Sequence, residues 1–192
     1  MTNDQALDLF IQAGALLKGH FKLSSGLHSD QYLEKFRLAE NPRLLEPMCS
    51  EIASRFVSEG IEIVLGPTTA GIILAYNVAR YLGVEARYAE TDGGVRTLRR
   101  GQSLPTGTRV LVVDDILTTG GAVKECIELV NKHDAIVAGI GVLGDRSGGS
   151  VRLADRQEAL LTVSVEAWPP DACPMCLAGV PLYQPGTKGQ RV

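Results

Sequence analysis

No apolar run approaches the roughly 18 to 20 residues that a membrane span requires. The opening MTNDQALDLF lacks the charged-then-apolar layout of a signal peptide. A cytoplasmic protein with no membrane partner is therefore expected. Positive charge is not in excess either: 19 basic against 22 acidic side chains leave a net charge of −3. That argues against a protein that finds nucleic acid through overall potential. Cysteine is scarce, with Cys49, Cys126, Cys173 and Cys176 in 192 residues. Four are too few for a disulfide-stapled scaffold and fit a reducing compartment. Internal repeats and low-complexity tracts are missing as well. What remains, 45% hydrophobic and 21% charged, is the composition of an ordinary globular chain, and its length suits one domain over 1–192.

Apolar residues at helical spacing predict a first helix from Asp4 to Leu17, ending by Gly19. The stretch GHFKLSSGLHSDQYLEKF reads as short strands joined by turns. Asn41 and Pro42 look like an N-cap and first helical position, with Leu45, Met48, Ile52 and Phe56 on one face of a helix to about Ser58. The rhythm then changes to strand, helix, strand in IEIVLG, AGIILAYNVARYLG and VEARYAE. It repeats in RVLVVDD, TTGGAVKECIELVNKH and AIVAGIGVLG. Such alternation predicts an α/β fold, a parallel sheet flanked by helices with right-handed crossovers. ALLTVSVEAW is the last strand expected, and the first forty residues and part of the Pro-rich and Gly-rich tail should pack beside the sheet. Residues 91–108 read as a polar loop without secondary structure, the length of a functional lid.

The most informative window is VLVVDDILTTGGA. A buried apolar strand delivers Asp114 and Asp115 to the edge where open α/β sheets bind ligands. Thr118, Thr119, Gly120 and Gly121 then open a helix whose unpaired N–H groups and positive dipole end favour an anion. Simple helix capping would explain the glycines and threonines. It does not explain two consecutive carboxylates at a buried strand's exit, where desolvation costs several kcal/mol unless a cation or donors answer them.

This window resembles the phosphoribosyl diphosphate motif of the type I phosphoribosyltransferases, a Rossmann-like fold with a small hood. Gly19 to Phe36 is similar to the N-terminal orotate segment of the orotate branch, Gly66 to Ala75 to its diphosphate turn, and Asp145-Arg146 to its orotate-binding arginine. The resemblance implies a pentosyltransferase that moves ribose 5-phosphate from phosphoribosyl diphosphate to orotate in pyrimidine biosynthesis. It implies that Ile116, Leu117, Thr118, Thr119, Gly120 and Gly121 hold the 5-phosphate. Asp114 and Asp115 would hold the ribose hydroxyls, Asp115 rather than Asp114 also steadying developing positive charge. Ser25, Gly26, Lys35 and Arg146 would contact orotate, and Thr68, Thr69 and Arg96 the diphosphate. Arg99 and Arg100 would act from the lid. Magnesium is implied as cofactor, carried by phosphoribosyl diphosphate near the two acids rather than held directly. A homodimer is implied in which each lid reaches the neighbouring site.

Two departures stand out. Ser24 and Ala70 occupy positions where many members of that branch have lysine, and no lysine lies between Lys35 and Lys124; either Arg96, Arg99 or Arg100, with Lys35, replaces them, which is the favoured reading, or the activity is weak or redirected. Competing readings are a purine-base transferase, which would have no use for Arg146, and a non-catalytic sensor of phosphoribosyl diphosphate. The sensor usually carries a separate DNA-binding domain, for which a helix starting by Asp4 leaves no expected room. Cys173-Pro-Met-Cys176 has the spacing of half a zinc knuckle. With no second pair nearby in the sequence, a plain turn is the default and a four-cysteine site across a dimer the alternative. His20 and His28 are candidates for ligand contacts, with a structural or solvated role as default. Trp168 and Tyr183 are expected in hood or dimer packing.

Overall fold

The computed structural model describes residues 1–23 and 25–185. Helix α1 (Asn3–Gln12) begins at a capping box, in which Thr2 Oγ1 accepts the Gln5 N–H and the Gln5 side chain accepts the Thr2 N–H. It does not run on to Leu17 as the spacing predicts. Gly14, at φ 63°, turns the chain out of the helix while its N–H and that of Ala15 reach back to Ile11 and Phe10. Leu16–Lys22 becomes strand β1, antiparallel to β2 (His28–Leu33), in a separate two-stranded sheet. Apolar spacing cannot foresee this, because the strand partner lies beyond the turn. A short helix α2 (Phe36–Ala39) then leads into α3 (Pro42–Phe56), which has Pro42 at its first turn as expected.

The main sheet contains β3 (Ile63–Pro67), β4 (Glu85–Asp92), β5 (Val95–Thr97), β6 (Arg109–Leu117), β7 (Ile136–Asp145) and β8 (Gln157–Thr162). Its order is β5-β4-β3-β6-β7-β8, parallel throughout except for antiparallel β5. The crossovers are α4 (Ala70–Leu82) and α5 (Gly121–Lys132). Strand β5 corrects the reading of residues 91–108 as wholly irregular: the start of that segment folds back on β4, paired Thr91 to Arg96.

The alternation of β6 divides the core. Leu111 and Val113 join the cluster containing Phe10, Ile52, Phe56 and Leu74 from α1, α3 and α4, whereas Val110 and Val112 join the one containing Val123, Cys126 and Val130 from α5. Close approach of α3 to the sheet depends on Gly141 in β7, where a Cβ would lie 2.7 Å from the Ile52 side chain. Strand order switches between parallel β3 and β6, with β4 and β5 added on one side and β7 and β8 on the other, so ligand should bind beyond the carboxyl ends of these strands. The tail passes β8 and returns to the small sheet. Trp168 exchanges backbone hydrogen bonds with His28, and Tyr183 with His20 and Lys22, each at 2.8 Å. Its elements there are a 3₁₀ turn (Pro170–Ala172) and α6 (Pro174–Leu177). Thus both aromatic residues lie along the hairpin, although the Tyr183 side chain is exposed.

Candidate active site

Asp114 and Asp115 lie near the end of β6 and both are buried. Asp114 Oδ1 accepts the Asp115 N–H at 2.9 Å, and Asp115 Oδ1 accepts the Ile116 N–H at 2.6 Å. Burial, followed by the negative charge of Asp115, pushes the Asp114 carboxyl up to about 7. Lys35, at the start of α2, places Nζ 3.2 Å from Asp115 Oδ2. The fold thus unites a residue expected at orotate with the two acids expected at ribose.

The Asp114 shift has a signed consequence for stability. Below about pH 4 the carboxyl is protonated in folded and unfolded chains alike, and it carries no penalty. Between about 4 and 7 the folded chain keeps a proton that the unfolded chain releases, so stability falls as pH rises and levels off above 7. Asp114→Asn lacks this dependence. In ligand-free protein without magnesium it should be more stable than the parent at pH 8, by roughly 1 to 4 kcal/mol, and much closer to it at pH 5. Urea unfolding at the two pH values measures the difference; equal differences at both would remove Asp114 as its source.

Ile116 and Leu117 are the last residues of β6, and Leu117 is buried in the core. Of the residues expected at the 5-phosphate, Thr118 to Gly121 are the ones that lie beyond the strand. Gly120 has φ 77°, and a Cβ there would stand 2.8 Å from Leu153 Cδ1, so the turn requires glycine for both conformation and space. Gly120 is also the N-cap of α5 and brings no side-chain cap, which leaves the first N–H groups open beside Thr118 and the exposed Thr119.

Arg146 follows β7, next to β6: Leu117 is in register with Asp145, and the Arg146 N–H donates to the Leu117 carbonyl at 2.9 Å. Asp145 is not its partner. That carboxylate is buried and accepts the N–H groups of Ser147 at 2.7 Å and Gly149 at 3.2 Å, which disposes of a surface Asp145-Arg146 pair. Among the described residues no carboxylate forms an ion pair with Arg146. Burial lowers its pKa, opposed only by Tyr32 of β2. Tyr32, which the sequence reading missed, belongs to the same cluster: its own pKa is raised, chiefly by burial.

The turn expected at the diphosphate joins β3 to α4, with Thr68 half-buried and Thr69 exposed. Arg96 docks there. Its Nη1 donates to Thr68 Oγ1 at 3.0 Å and to the Ala89 carbonyl at 3.2 Å, while Nε reaches Glu125 on α5 at 2.8 Å. Arg99 and Arg100 are not brought to this turn. They are exposed, with Arg99 3.7 Å from Asp92 and Arg100 3.0 Å from Glu90. Ser25 and Gly26 form the β1–β2 turn, where the Gly26 N–H donates to the Leu23 carbonyl. No hydrogen bond links that turn to Arg146 among the described residues. Ala70 is buried at the first turn of α4, and Ser24 lies outside the described residues.

A model of the phosphoribosyl transferase domain matches residues 40–169, the span from α3 past β8 that carries the acids, both loops and Arg146. The fold and site therefore define a phosphoribosyltransferase. Over 188 residues the chain is 48% identical to the orotate phosphoribosyltransferase of Pelotomaculum thermopropionicum, covering 98% of this chain and 99% of that one. It belongs to the orotate phosphoribosyltransferase family. The crystal structure of orotate phosphoribosyltransferase from Aeropyrum pernix superposes with a TM-score of 0.69 at 26% identity, covering 81% of this chain and 92% of that one. Adenine phosphoribosyltransferase from Rhodothermus marinus shares the fold, with a TM-score of 0.65 at 23% identity over 84% of this chain and 100% of that one.

Proposed function

We propose that this chain transfers ribose 5-phosphate from phosphoribosyl diphosphate to orotate, giving orotidine 5′-monophosphate and diphosphate, the nucleotide-forming step of pyrimidine biosynthesis. The observation that carries the choice of base is Arg146. A half-buried guanidinium with no carboxylate partner among the described residues, beside Tyr32 and the end of β6, is a receptor for an anionic planar ligand. A purine would leave that charge unanswered.

In this reading the open N–H groups of α5 and the Thr118–Gly121 loop take the 5-phosphate, and Asp114 and Asp115 accept from the ribose hydroxyls. As the anomeric carbon parts from the diphosphate oxygen, the Asp115 carboxylate lies on the side where positive charge develops. Thr68, Thr69 and Arg96 receive the departing diphosphate, while Lys35 holds Asp115 in place. The acids suit a magnesium ion carried in by the diphosphate substrate: they are hard oxygen donors, and buried Asp115 Oδ2 makes no hydrogen bond, only an ion pair with Lys35 at 3.2 Å. The chemistry magnesium supplies when bound is neutralisation of the diphosphate's charge.

A homodimer with exchanged lids belongs to the same proposal, supported by the exposure of Phe36, Ile73 and Tyr76 and by two lid arginines that do not dock at the diphosphate turn of their own chain. Mixing inactive Asp115→Asn chains with Arg99→Ala/Arg100→Ala chains should restore activity, because hybrid dimers hold one intact site. No recovery after subunit exchange would show that each lid serves its own site. A cytoplasmic setting agrees with the free cysteines. No helix among the described residues is long and apolar enough to cross a membrane.

The direct test follows orotate absorbance with phosphoribosyl diphosphate and magnesium, with adenine, guanine, hypoxanthine, xanthine and uracil in parallel. Loss of orotate alone supports the proposal. Consumption of a purine, or of no base despite binding of phosphoribosyl diphosphate, would replace it with one of the competing readings.

A further inference from the structure

Four side chains far apart in sequence meet where the tail crosses the small sheet. His20 is in β1, His28 opens β2, Cys173 precedes α6 and Cys176 lies within it. Their ligand atoms all fall within 4.8 Å of one another, and His20, His28 and Cys173 are buried. Burial of both histidines sets aside the solvated reading and leaves the structural one, and the CPMC turn does not stand alone but packs against them. Two histidines of the same chain supply the second pair.

The spacing is that of a tetrahedron around one ion. Zinc bond lengths of about 2.0–2.1 Å to nitrogen and 2.3 Å to sulfur give edges of about 3.3 Å between nitrogens and about 3.5 Å between nitrogen and sulfur. His20 Nε2 is 3.0 Å from His28 Nδ1, and Cys176 Sγ is 3.3 Å from His28 Nδ1. The sulfurs of Cys173 and Cys176 stand 3.4 and 3.7 Å from His20 Nε2. The outer shell is in place too. His20 Nδ1 lies 2.8 Å from the Val180 carbonyl, which can only accept, so Nδ1 carries the proton and Nε2 turns its lone pair inward. Without an ion, that single lone pair faces three crowded neighbours. Cys49 and Cys126 offer the contrast of ordinary core thiols, each pushed up to about 12 by burial and belonging to no such cluster.

We propose that His20 Nε2, His28 Nδ1, Cys173 Sγ and Cys176 Sγ bind one zinc ion within a single chain, a structural site that fastens the C-terminal tail to the hairpin bearing the Ser25-Gly26 turn. Two thiolates and two imidazoles in tetrahedral array select zinc over hard cations, and four protein ligands leave no open position for catalysis. The site is separate from Asp114 and Asp115 and does not depend on which base the enzyme uses.

The test is elemental analysis of tag-free, full-length protein after dialysis, with cobalt uptake by the stripped protein as a second readout. About one zinc per chain is expected, with a tetrahedral cobalt spectrum that includes thiolate charge-transfer absorption. Cys176→Ser should weaken that absorption by about half, and His28→Ala should lose most of the zinc. Chelation should lower Tm by roughly 5 to 10 °C. Parent protein that is folded but retains less than a tenth of an equivalent of zinc, and gives no cobalt spectrum, would overturn the site. So would a Cys173–Cys176 disulfide in its place, or half an equivalent unaffected by His28→Ala, which would mean cysteines shared across a dimer.

Discussion

Arg146→Ala is expected to lower kcat/KM for orotate by roughly 30- to 10³-fold while leaving KM for phosphoribosyl diphosphate within about threefold. A charge-assisted, bidentate pair with a carboxylate, away from bulk water, accounts for roughly 2 to 4 kcal/mol, because truncation leaves the ligand's charge unanswered. Three features put Arg146 at the high end: it is half-buried, it has no competing carboxylate among the described residues, and its backbone is tied to Leu117. Little structural cost should accompany the change, because Asp145 makes its own bonds to Ser147 and Gly149. Steady-state kinetics with each substrate varied separately decides the matter. An unchanged orotate KM and kcat would move the base site elsewhere and revive a purine substrate.

Asp115→Asn should reduce kcat by roughly 10²- to 10³-fold with much smaller changes in either KM. The volume is preserved, so the effect isolates charge. In the proposed reaction a carboxylate preorganised by the Ile116 N–H and Lys35 faces the ribose as it becomes positive, and its stabilisation would be greatest in the transition state. The substitution also leaves the Lys35 ammonium without its partner, beside the same developing charge. Pre-steady-state measurement of the transfer step, with binding of phosphoribosyl diphosphate followed by calorimetry, separates the two effects. Tenfold weaker binding with unchanged transfer would reduce Asp115 to a hydroxyl anchor and shift the electrostatic role to Asp114.

Much of the fold is written locally. Alternating apolar strands and 3.6-period helices recover β3, α4, β4, β6, α5 and β7 to within a few residues, because burial of one face imposes its period on the chain that carries it. The loop proposed for phosphate is legible for the same reason: Gly120 and the N-terminus of α5 need only their own backbone to present N–H groups. Two adjacent acids at the end of an apolar strand point to a ligand, because each finds only one neighbouring backbone N–H locally, too little to balance a buried charge.

Other features exist only once distant segments meet. Helix α1 surrendered Leu16 and Leu17 to a strand whose partner begins at His28, and β5 formed where 91–108 offered no pattern. Whether Asp145 and Arg146 form a surface ion pair turned on what Asp145 bonded, a choice made by the Ser147–Gly149 loop, which leaves Arg146 free for the role proposed. Arg96 differs from Arg99 and Arg100 only because Thr68 and Glu125 lie within its reach. His20, His28 and the CPMC turn are unremarkable apart, since a tetrahedral site is a property of distances across more than one element. The amino-acid sequence by itself determined the α/β frame and the glycine turn that opens α5, through periodicity and glycine stereochemistry. Only the tertiary structure decided which charges stay unpaired and which ligands converge, because those depend on neighbours that no local window contains.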